Sequence, residues 1–434
     1  MAVASIFMYN DKNVHSLGGV IVLEGIRFIH TADLHLDSPF LGLGHLPEKL
    51  FKRLQESTFS AFERVVDAAI EKNVDFILVA GDLFDGEDRS IKAQARLRRQ
   101  LQRLKEKDII AFITHGNHDH MAGDWIKLDM PENVYVFGEQ PDAYHFTAKN
   151  GVTVHVYGFS YPERHVFARK IEEFEKKPGA DLNIAMLHGS EEGQAGAHQP
   201  YAPFTVHELL QKEMDYWALG HIHKKRILHS DPYIIYPGNT QGRHRKEEGE
   251  KGCYFVSMTK EVRAELEFIE TADIRWESVQ IHLEDDIELT ELYTSCVSAM
   301  ESLGNKNQSV LCRIRLANSH RLSSKVLKII ENGEFIEMLQ DEAFLEGEFV
   351  WPYRVELDQA SNDGHRLISD GAFLNMLDSA VQDMQDKSLF DEAISGLYTH
   401  TYASRYLDSL DEREREQLLL SAKKLVLSRL SEID

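Results

Sequence analysis

The stretch Thr114-His115-Gly116-Asn117-His118-Asp119-His120 decides how the chain is read. It follows Ile109–Ile113, a short apolar run with the character of a buried strand. Gly116 permits a sharp turn with backbone close to whatever lies above it. Asn117 then offers a neutral amide oxygen, His118 an imidazole, and Asp119 a carboxylate able to hold one of them. A polar loop with histidines is by itself only a loop. This one gains meaning because other strand ends carry the same kinds of side chain.

The apolar run Ile26–Ala32 leads into Asp33-Leu34-His35, and Asp75–Ala80 ends in Gly81-Asp82-Leu83-Phe84-Asp85. Leu182–Leu187 ends in His188-Gly189, and Tyr216–Leu219 in Gly220-His221-Ile222-His223. Positions i and i+2 of an extended chain face one side, so Asp33 with His35, and His221 with His223, are each expected to point together. Open α/β sheets place their sites at the carboxyl ends of strands.

Between these strands the pattern is helical over Pro47–Lys72, with Phe51, Leu54, Phe59, Phe62, Val65, Val66 and Ala69 in one stripe. It is helical again over Ser90–Lys107. There Arg96, Arg98, Arg99, Arg103 and Lys105 read as a solvated face, with phosphate or DNA contact as the competing reading. Arg164–Lys176 reads as a charged helix. Val134–Phe137, Ala143–Thr147 and Val152–Gly158 read as antiparallel strands, and Cys253–Met258 and Val262–Ile269 close this part near residue 270.

The chain has 434 residues, 43% hydrophobic and 27% charged, which suits a globular protein of two or three domains. A net charge of −23 argues against a protein that coats nucleic acid, though not against a local basic groove. Bound divalent cations would offset part of it. Cys253, Cys296 and Cys312 form no C-x-x-C, which fits a reducing cytosol and excludes a thiolate metal site. No apolar run reaches transmembrane length. Residues 1–25 lack a signal-peptide pattern and are expected to form a disordered leader. Gly18-Gly19-Val20 could be a translated ribosome-binding sequence, with the start near Val22 or Leu23.

Carboxylate, imidazole and amide donors without thiolate suit Mn²⁺, Fe or Zn²⁺ rather than Ca²⁺. Seven candidate ligands exceed the needs of one ion, so two divalent metal ions sharing a carboxylate are expected. Metals roughly 3.5–4 Å apart are a recurrent device for phosphoester hydrolysis. The expected first ion takes Asp33, His35, Asp82 and His223; the second takes Asp82, Asn117, His188 and His221. His118 is expected to face the substrate as the catalytic imidazole, oriented by Asp119.

D-x-H, G-D-x-x-D, G-N-H-D, H-G and G-H-x-H, in this order, resemble the calcineurin-like metallophosphoesterase superfamily. The resemblance implies a four-layer α-β-β-α metallophosphoesterase sandwich over residues 26–270, with the metal and His118 roles just given. Ile29–Asp37, Val79–Asp85 and Thr114–Asp119 are similar, more narrowly, to SbcD-type DNA repair nucleases. Tyr236–Arg243 together with Lys251-Gly252-Cys253 resembles their YhaO branch. Some relatives carry a histidine, proposed to help place the DNA phosphate, where this chain has Asp85; that carry-over fails here and leaves exonuclease polarity open. Asp85, Arg243, His244 and Arg245 are the candidate substrate contacts. His30, His115 and His155 read as packing or supporting residues, and His198 and His207 fall in a polar loop and a helix start.

Residues 276–358 read as a small α+β cap: strands Trp276–His282, Val310–Leu316 and Phe349–Leu357, and helices Glu288–Leu303 and Ser323–Leu339. The resemblance implies a cap that orients DNA, with Arg313, Arg315, Arg321 and Lys325 as possible contacts. Residues 365–434 read as a helical C-terminal region whose last helix carries Leu418, Leu419, Ala422, Leu425, Val426 and Leu430 in a stripe. The resemblance implies docking of a coiled-coil ATPase subunit there, and a homodimer through helices of the nuclease domain. Residues 341–434 hold 20 acidic residues against 9 Lys and Arg, a poor DNA grip. The expected function is a two-metal DNA phosphodiesterase in a repair complex, in the cytoplasm or associated with the nucleoid. The alternatives are a phosphoesterase acting on nucleotides or cyclic nucleotides, and a scaffold subunit regulating an ATPase.

Overall fold

Strands that are apolar at nearly every position must bury both faces, and this constraint builds the first part of the molecule. The computed structural model describes residues 25–431 except 41–42, 44–45, 87–89, 124–127, 194–200, 260–263, 285–286, 305–307, 342, 344–346, 359–370, 400–406 and 408–409. The expected leader up to residue 24 and the loop holding His198 lie outside the described residues.

One sheet contains β1 (Ile26–Thr31), β2 (Phe76–Ala80), β3 (Ile110–Thr114), β4 (Val134–Val136), β11 (Gly252–Met258) and β12 (Glu265–Glu270). Their order is β12-β11-β1-β2-β3-β4. The other contains β5 (Asp142–Thr147), β6 (Thr153–Gly158), β7 (Leu182–His188), β8 (Tyr216–Gly220), β9 (Arg226–Ser230) and β10 (Tyr233–Tyr236), in the order β5-β6-β7-β8-β10-β9. Alternate residues divide between two cores. Phe28, Phe76, Leu78 and Phe112 of the first sheet meet Val154, Val156, Ile184, Met186, Tyr216 and Ala218 of the second. Ile29, Ile77, Val79, Ala111 and Ile113 face away and pack on α1 (Glu48–Glu71) and α2 (Ile91–Lys105) through Phe62, Val65, Val66, Leu97 and Leu101. On the far side, Ala185, Leu187, Trp217 and Leu219 pack with Val166, Ile171, Phe174 and Leu209, the last from the short α3 (Val206–Gln211). The expected sandwich with helices outside is what these layers form.

Helix ends follow their side chains. The Ser90 hydroxyl accepts from Ala93 N at 3.0 Å and starts α2. Arg96 pairs with Glu56 and Arg103 with Asp67, so these basic residues of α2 are engaged by the acidic face of α1.

Several local expectations differ from the structure. Arg164–Lys176 is not an α-helix; it is irregular apart from a single 3₁₀ turn at Lys170–Glu173. Its buried residues Val166, Ile171 and Phe174 are spaced for an extended wrap over the sheet rather than for one helical stripe. β4 runs parallel to β3 instead of forming a hairpin with β5, which belongs to the other sheet. Nothing in the sequence marks β9, because as an edge strand it keeps much of its surface in water and shows no apolar run.

By internal contacts the chain divides into two compact units, Met1–Ser38 with Glu56–Arg275, and Pro39–Gln55 with Trp276–Asp434. The second therefore takes in Pro39–Gln55, which the linear reading leaves in the first. Within it, Arg53 donates to Gly347 O and lies over the Phe349 ring. It holds a three-stranded sheet of β13 (Ile274–His282), β14 (Ser309–Ala317) and β15 (Val350–Leu357) with α4 (Leu289–Leu303), around Leu292, Cys296, Val310 and Ile314. The helix expected over Ser323–Leu339 is two, α5 (Ser324–Glu331) and α6 (Glu334–Asp341), because Gly333 turns left-handed at φ +90°. Beyond them lie α7 (Gly371–Asp383), α8 (Lys387–Thr399) and α9 (Glu412–Ser431). Leu418, Leu425 and Val426 of α9 are exposed, and Lys423 pairs with Asp378 of α7. Among the described residues no helix is long and apolar enough to cross a membrane.

Phe76 is fully buried, stacked on Phe28 at 5.0 Å and edge-on to Phe112 at 5.6 Å. Phe76→Ala is expected to cost about 3–5 kcal/mol. Urea unfolding of the purified variant checks this, and a loss under about 1 kcal/mol would mean the two sheets do not share this core.

Candidate metal centre

Parallel pairing sets the strand ends side by side. Thr31 of β1 lies opposite Val79, Ala80 of β2 opposite Thr114, and His188 of β7 opposite Gly220. The loops that leave β1 and β2 then interlock: Asp33 N donates to Gly81 O, His35 N to Asp82 O and Leu36 N to Leu83 O. Asp33, His35, Asp82 and His221 all sit at positive φ, 51°, 43°, 51° and 97°. Non-glycine residues avoid that region, and such strain persists only where surrounding contacts over-determine it. Asp33 and His35 therefore converge through left-handed turns, not through the strand alternation that the spacing suggested. Gly116 and Gly220 are needed for closeness. A Cβ on Gly116 would stand 2.3 Å from Asp82 Oδ1, and one on Gly220 would stand 1.8 Å from Ala80 O.

Asp33, His35, Asp82, Asn117, His188, His221 and His223 are brought into one pit. Asp82 Oδ2 is 3.3 Å from His188 Nε2 and 3.8 Å from His35 Nε2. Asn117 Oδ1 is 3.2 Å from His188 Nε2 and 3.1 Å from His221 Nδ1. His35 Nε2 and His223 Nε2 face each other at 3.0 Å. Among the described residues, the groups able to hold a metal ion are Asp33, His35 and His223, then Asp33, Asp82 and His188, then His35, Asp85 and His118.

The chemistry of this donor set fits cations. Ala80 O can only accept, so His188 Nδ1 donates to it at 2.9 Å and leaves Nε2 for the pit. In the same way His223 Nδ1 donates to Glu247 Oε1 at 2.6 Å, which turns its Nε2 towards that of His35. Acceptor atoms thus crowd together with few protons to share. Burial pushes the His35 and His221 imidazoles down to about 3, aided by the Arg243 and His188 charges respectively. Burial opposes a charge on His188 too, but the Asp82 and Asp33 carboxylates outweigh it and raise this imidazole to about 9. Without a cation, the carboxylates favour a proton on His188, and burial raises the Asp33 carboxyl beside it as well.

At the rim, the His118 side chain is 35% exposed, and its backbone N–H donates to Asp82 Oδ1 at 2.9 Å. Asp119 is placed otherwise than expected. Its carboxylate accepts from Leu83 N at 3.0 Å, Gly116 N at 2.7 Å and His115 Nδ1 at 2.9 Å, so it braces the loop. The carboxylate facing His118 Nδ1 is that of Asp85, at 3.5 Å. Asp85 also lies 3.2 Å from His35 Nδ1 and accepts from Ser38 Oγ at 2.8 Å and Arg243 Nη1 at 2.5 Å. Burial would raise its carboxyl, but His35, Arg243 and Ser38 together hold it well below the usual carboxylate range. His244 turns towards Glu247 at 3.5 Å, and Arg245 is exposed on the surface.

Sequence reasoning missed Glu247. It is buried, accepts from Arg243 N at 2.7 Å and Asn239 Nδ2 at 2.8 Å, and fixes the ring of His223. Lys251, also buried, donates to His223 O at 2.8 Å. The one available signal is an acid directly after the basic run Arg243–Lys246, but Glu248 and Glu250 follow it, and nothing in the sequence says which of them serves a histidine or which histidine that is.

Residues 26–225 match the family model for calcineurin-like phosphoesterases. Over 418 residues the chain is 37% identical to a Bacillus subtilis (strain 168) protein described as the uncharacterized metallophosphoesterase YhaO, which covers 95% of this chain and 100% of that one. It is 25% identical over 272 residues to the DNA double-strand break repair protein Mre11 of Methanopyrus kandleri, covering 56% of this chain and 57% of that protein. It is 26% identical over 336 residues to the Mre11 of Methanocaldococcus jannaschii, covering 72% and 85%.

Carboxylates that orient metal-bound histidines typically contribute about 10–100-fold to metal affinity. Glu247→Gln is expected to weaken Mn²⁺ binding by about that factor in calorimetric titration. Unchanged affinity would remove Glu247 from the centre. His188 must shed its proton to ligate, so affinity rises with pH and levels off above about 9. Titration at pH 7 in two buffers of different ionisation enthalpy should show about one proton released. Zero release would mean that His188 is already neutral before the ion binds.

Proposed function

The chain belongs to the calcineurin-like metallophosphoesterases, and from this premise we propose that it hydrolyses phosphodiester bonds of DNA at a two-metal centre. The observation that carries the reading is the position of Asp82. Its Oδ2 faces His35 on one side and His188 on the other, the place of a carboxylate shared by two ions. Asp33, His35 and His223 would complete the first site, and Asn117, His188 and His221 the second. When bound, two divalent cations, with Mn²⁺ the expected metal, supply Lewis acidity, activate water and neutralise phosphate charge.

The protein's own residues do the positioning. His118 Nδ1 faces Asp85, which leaves Nε2 to meet a substrate oxygen and hand a proton to the leaving group. Asp85 also anchors the Arg243 guanidinium beside His118, where a fixed cation suits a phosphate oxygen. Asp119 acts through the backbone, holding the Gly116 turn that presents Asn117 and His118.

DNA as substrate is supported by the Mre11 relatives, named for double-strand break repair. A coiled-coil ATPase partner is supported by the exposed apolar residues of α9, which suit a docked helix better than water. Mn²⁺-dependent degradation of end-labelled linear duplex DNA tests the proposal. Wild type is expected to release label. Asp82→Ala should abolish release, and His118→Ala should slow it by about a hundredfold to ten-thousandfold. Hydrolysis of bis-p-nitrophenyl phosphate with no DNA cleavage would move the substrate to small phosphodiesters.

A further inference from the structure

Three aromatic rings lead outward from the metal centre. The Tyr201 ring lies 5.2 Å from that of His221. His165 stacks on Tyr201 at 5.7 Å and 25°, and accepts or donates at 3.1 Å between its Nδ1 and the Tyr201 hydroxyl. Phe167 stacks on His165 at 5.7 Å and 19°, and is 6.1 Å from Tyr201. Backbone bonds hold the rings in place: Ala202 N donates to Val166 O at 2.6 Å, and Ser190 N to Tyr201 O at 2.8 Å. Val166, between the two outer rings in sequence, is buried, so His165 and Phe167 are turned to solvent. Phe167 is 48% exposed. An apolar ring left this open contributes little to folding, since only buried area does. None of the three rings is needed to ligate a metal.

We propose that Phe167 and His165, backed by Tyr201, form a stacking platform for an unpaired nucleobase of the strand that enters the metal centre. A flat, preorganised group of rings is how proteins hold single-stranded bases, because every base offers a π-face. The distances suit it. Two ring-to-ring steps separate Phe167's neighbour from His221, while stacked bases repeat at about 3.4 Å, so the platform would hold a base within a few nucleotides of the scissile phosphate. Stacking reads no base edge, so the platform discriminates paired from unpaired ends and not one sequence from another. The proposal rests on the nuclease reading for its location but names a nucleobase as the ligand whatever bond is cut.

The test is binding of a single-stranded oligonucleotide carrying 2-aminopurine, without divalent metal, read by anisotropy and by 2-aminopurine quenching, beside the same strand made abasic at that position. Wild type is expected to quench the fluorophore and to prefer the base-bearing strand. In Phe167→Ala the quenching should fall away and affinity for that strand drop about fivefold to a hundredfold. The preference over the abasic strand should collapse to about one, and Phe167→Trp should restore it. Equal quenching and affinity in wild type and Phe167→Ala would overturn the platform, while leaving metal-dependent DNA cleavage intact as a separate result. Quenching by wild type that cuts no DNA would keep the platform and remove the nuclease reading. Absence of quenching in wild type would overturn the platform outright.

Discussion

A buried carboxylate with imidazoles on two sides is the constraint on which the rest of the structure depends. Asp82 is 1% exposed, and Asp33 beside it is equally buried. Taking an ion out of water costs several kcal/mol even after relaxation, and paired charges repay this only with good geometry and further hydrogen bonds. The fold supplies fixed donors: His118 N for Asp82, and His221 N for both oxygens of Asp33. It also supplies His188, an imidazole that the Asp82 and Asp33 carboxylates hold towards its protonated form. What remains is a pit with more acceptors than protons, which is the electrostatic condition for holding divalent cations. The overall charge of −23 works in the same direction.

Such a pit needs walls that do not yield. Each central strand spends alternate side chains on two different cores, so none can slip by one residue without exchanging the contents of both. The strained backbone at Asp33, His35, Asp82 and His221 is carried by that rigidity. Each such position costs on the order of 1–3 kcal/mol. The cost is borne where the ligands are and offset in cores that contain none of them.

The rim follows another logic. His118, Asp85 and Arg243 come from three separate loops, and Asp85 joins them through the side chains alone. Glu247 and Arg243 belong to one turn, so the group that fixes the ring of His223 also fixes, through Arg243 N, the residue whose guanidinium meets Asp85. Outside it, the Tyr201, His165 and Phe167 rings extend the surface away from the centre.

Much of this was legible in the sequence, and for definite reasons. Strands buried on both faces read as short continuous apolar runs, so β1, β2, β3, β7 and β8 were visible, and with them the residues just beyond their ends. Gly81, Gly116 and Gly220 marked where backbone approaches closely. Edge strand β9, the irregular wrap over 164–176 and the break at Gly333 were not visible, because exposure or a single φ decided them rather than a periodic pattern. The sequence by itself determined the strand ends and the chemical kinds of side chain they carry, since those depend only on local hydrophobic pattern and residue type. Tertiary structure alone decided that Glu247 orients His223, that Asp85 rather than Asp119 faces His118, and that three distant rings share one stack. Those contacts join residues 24 to 36 positions apart, and separation along the chain carries no record of which side chains a pair of sheets will bring together.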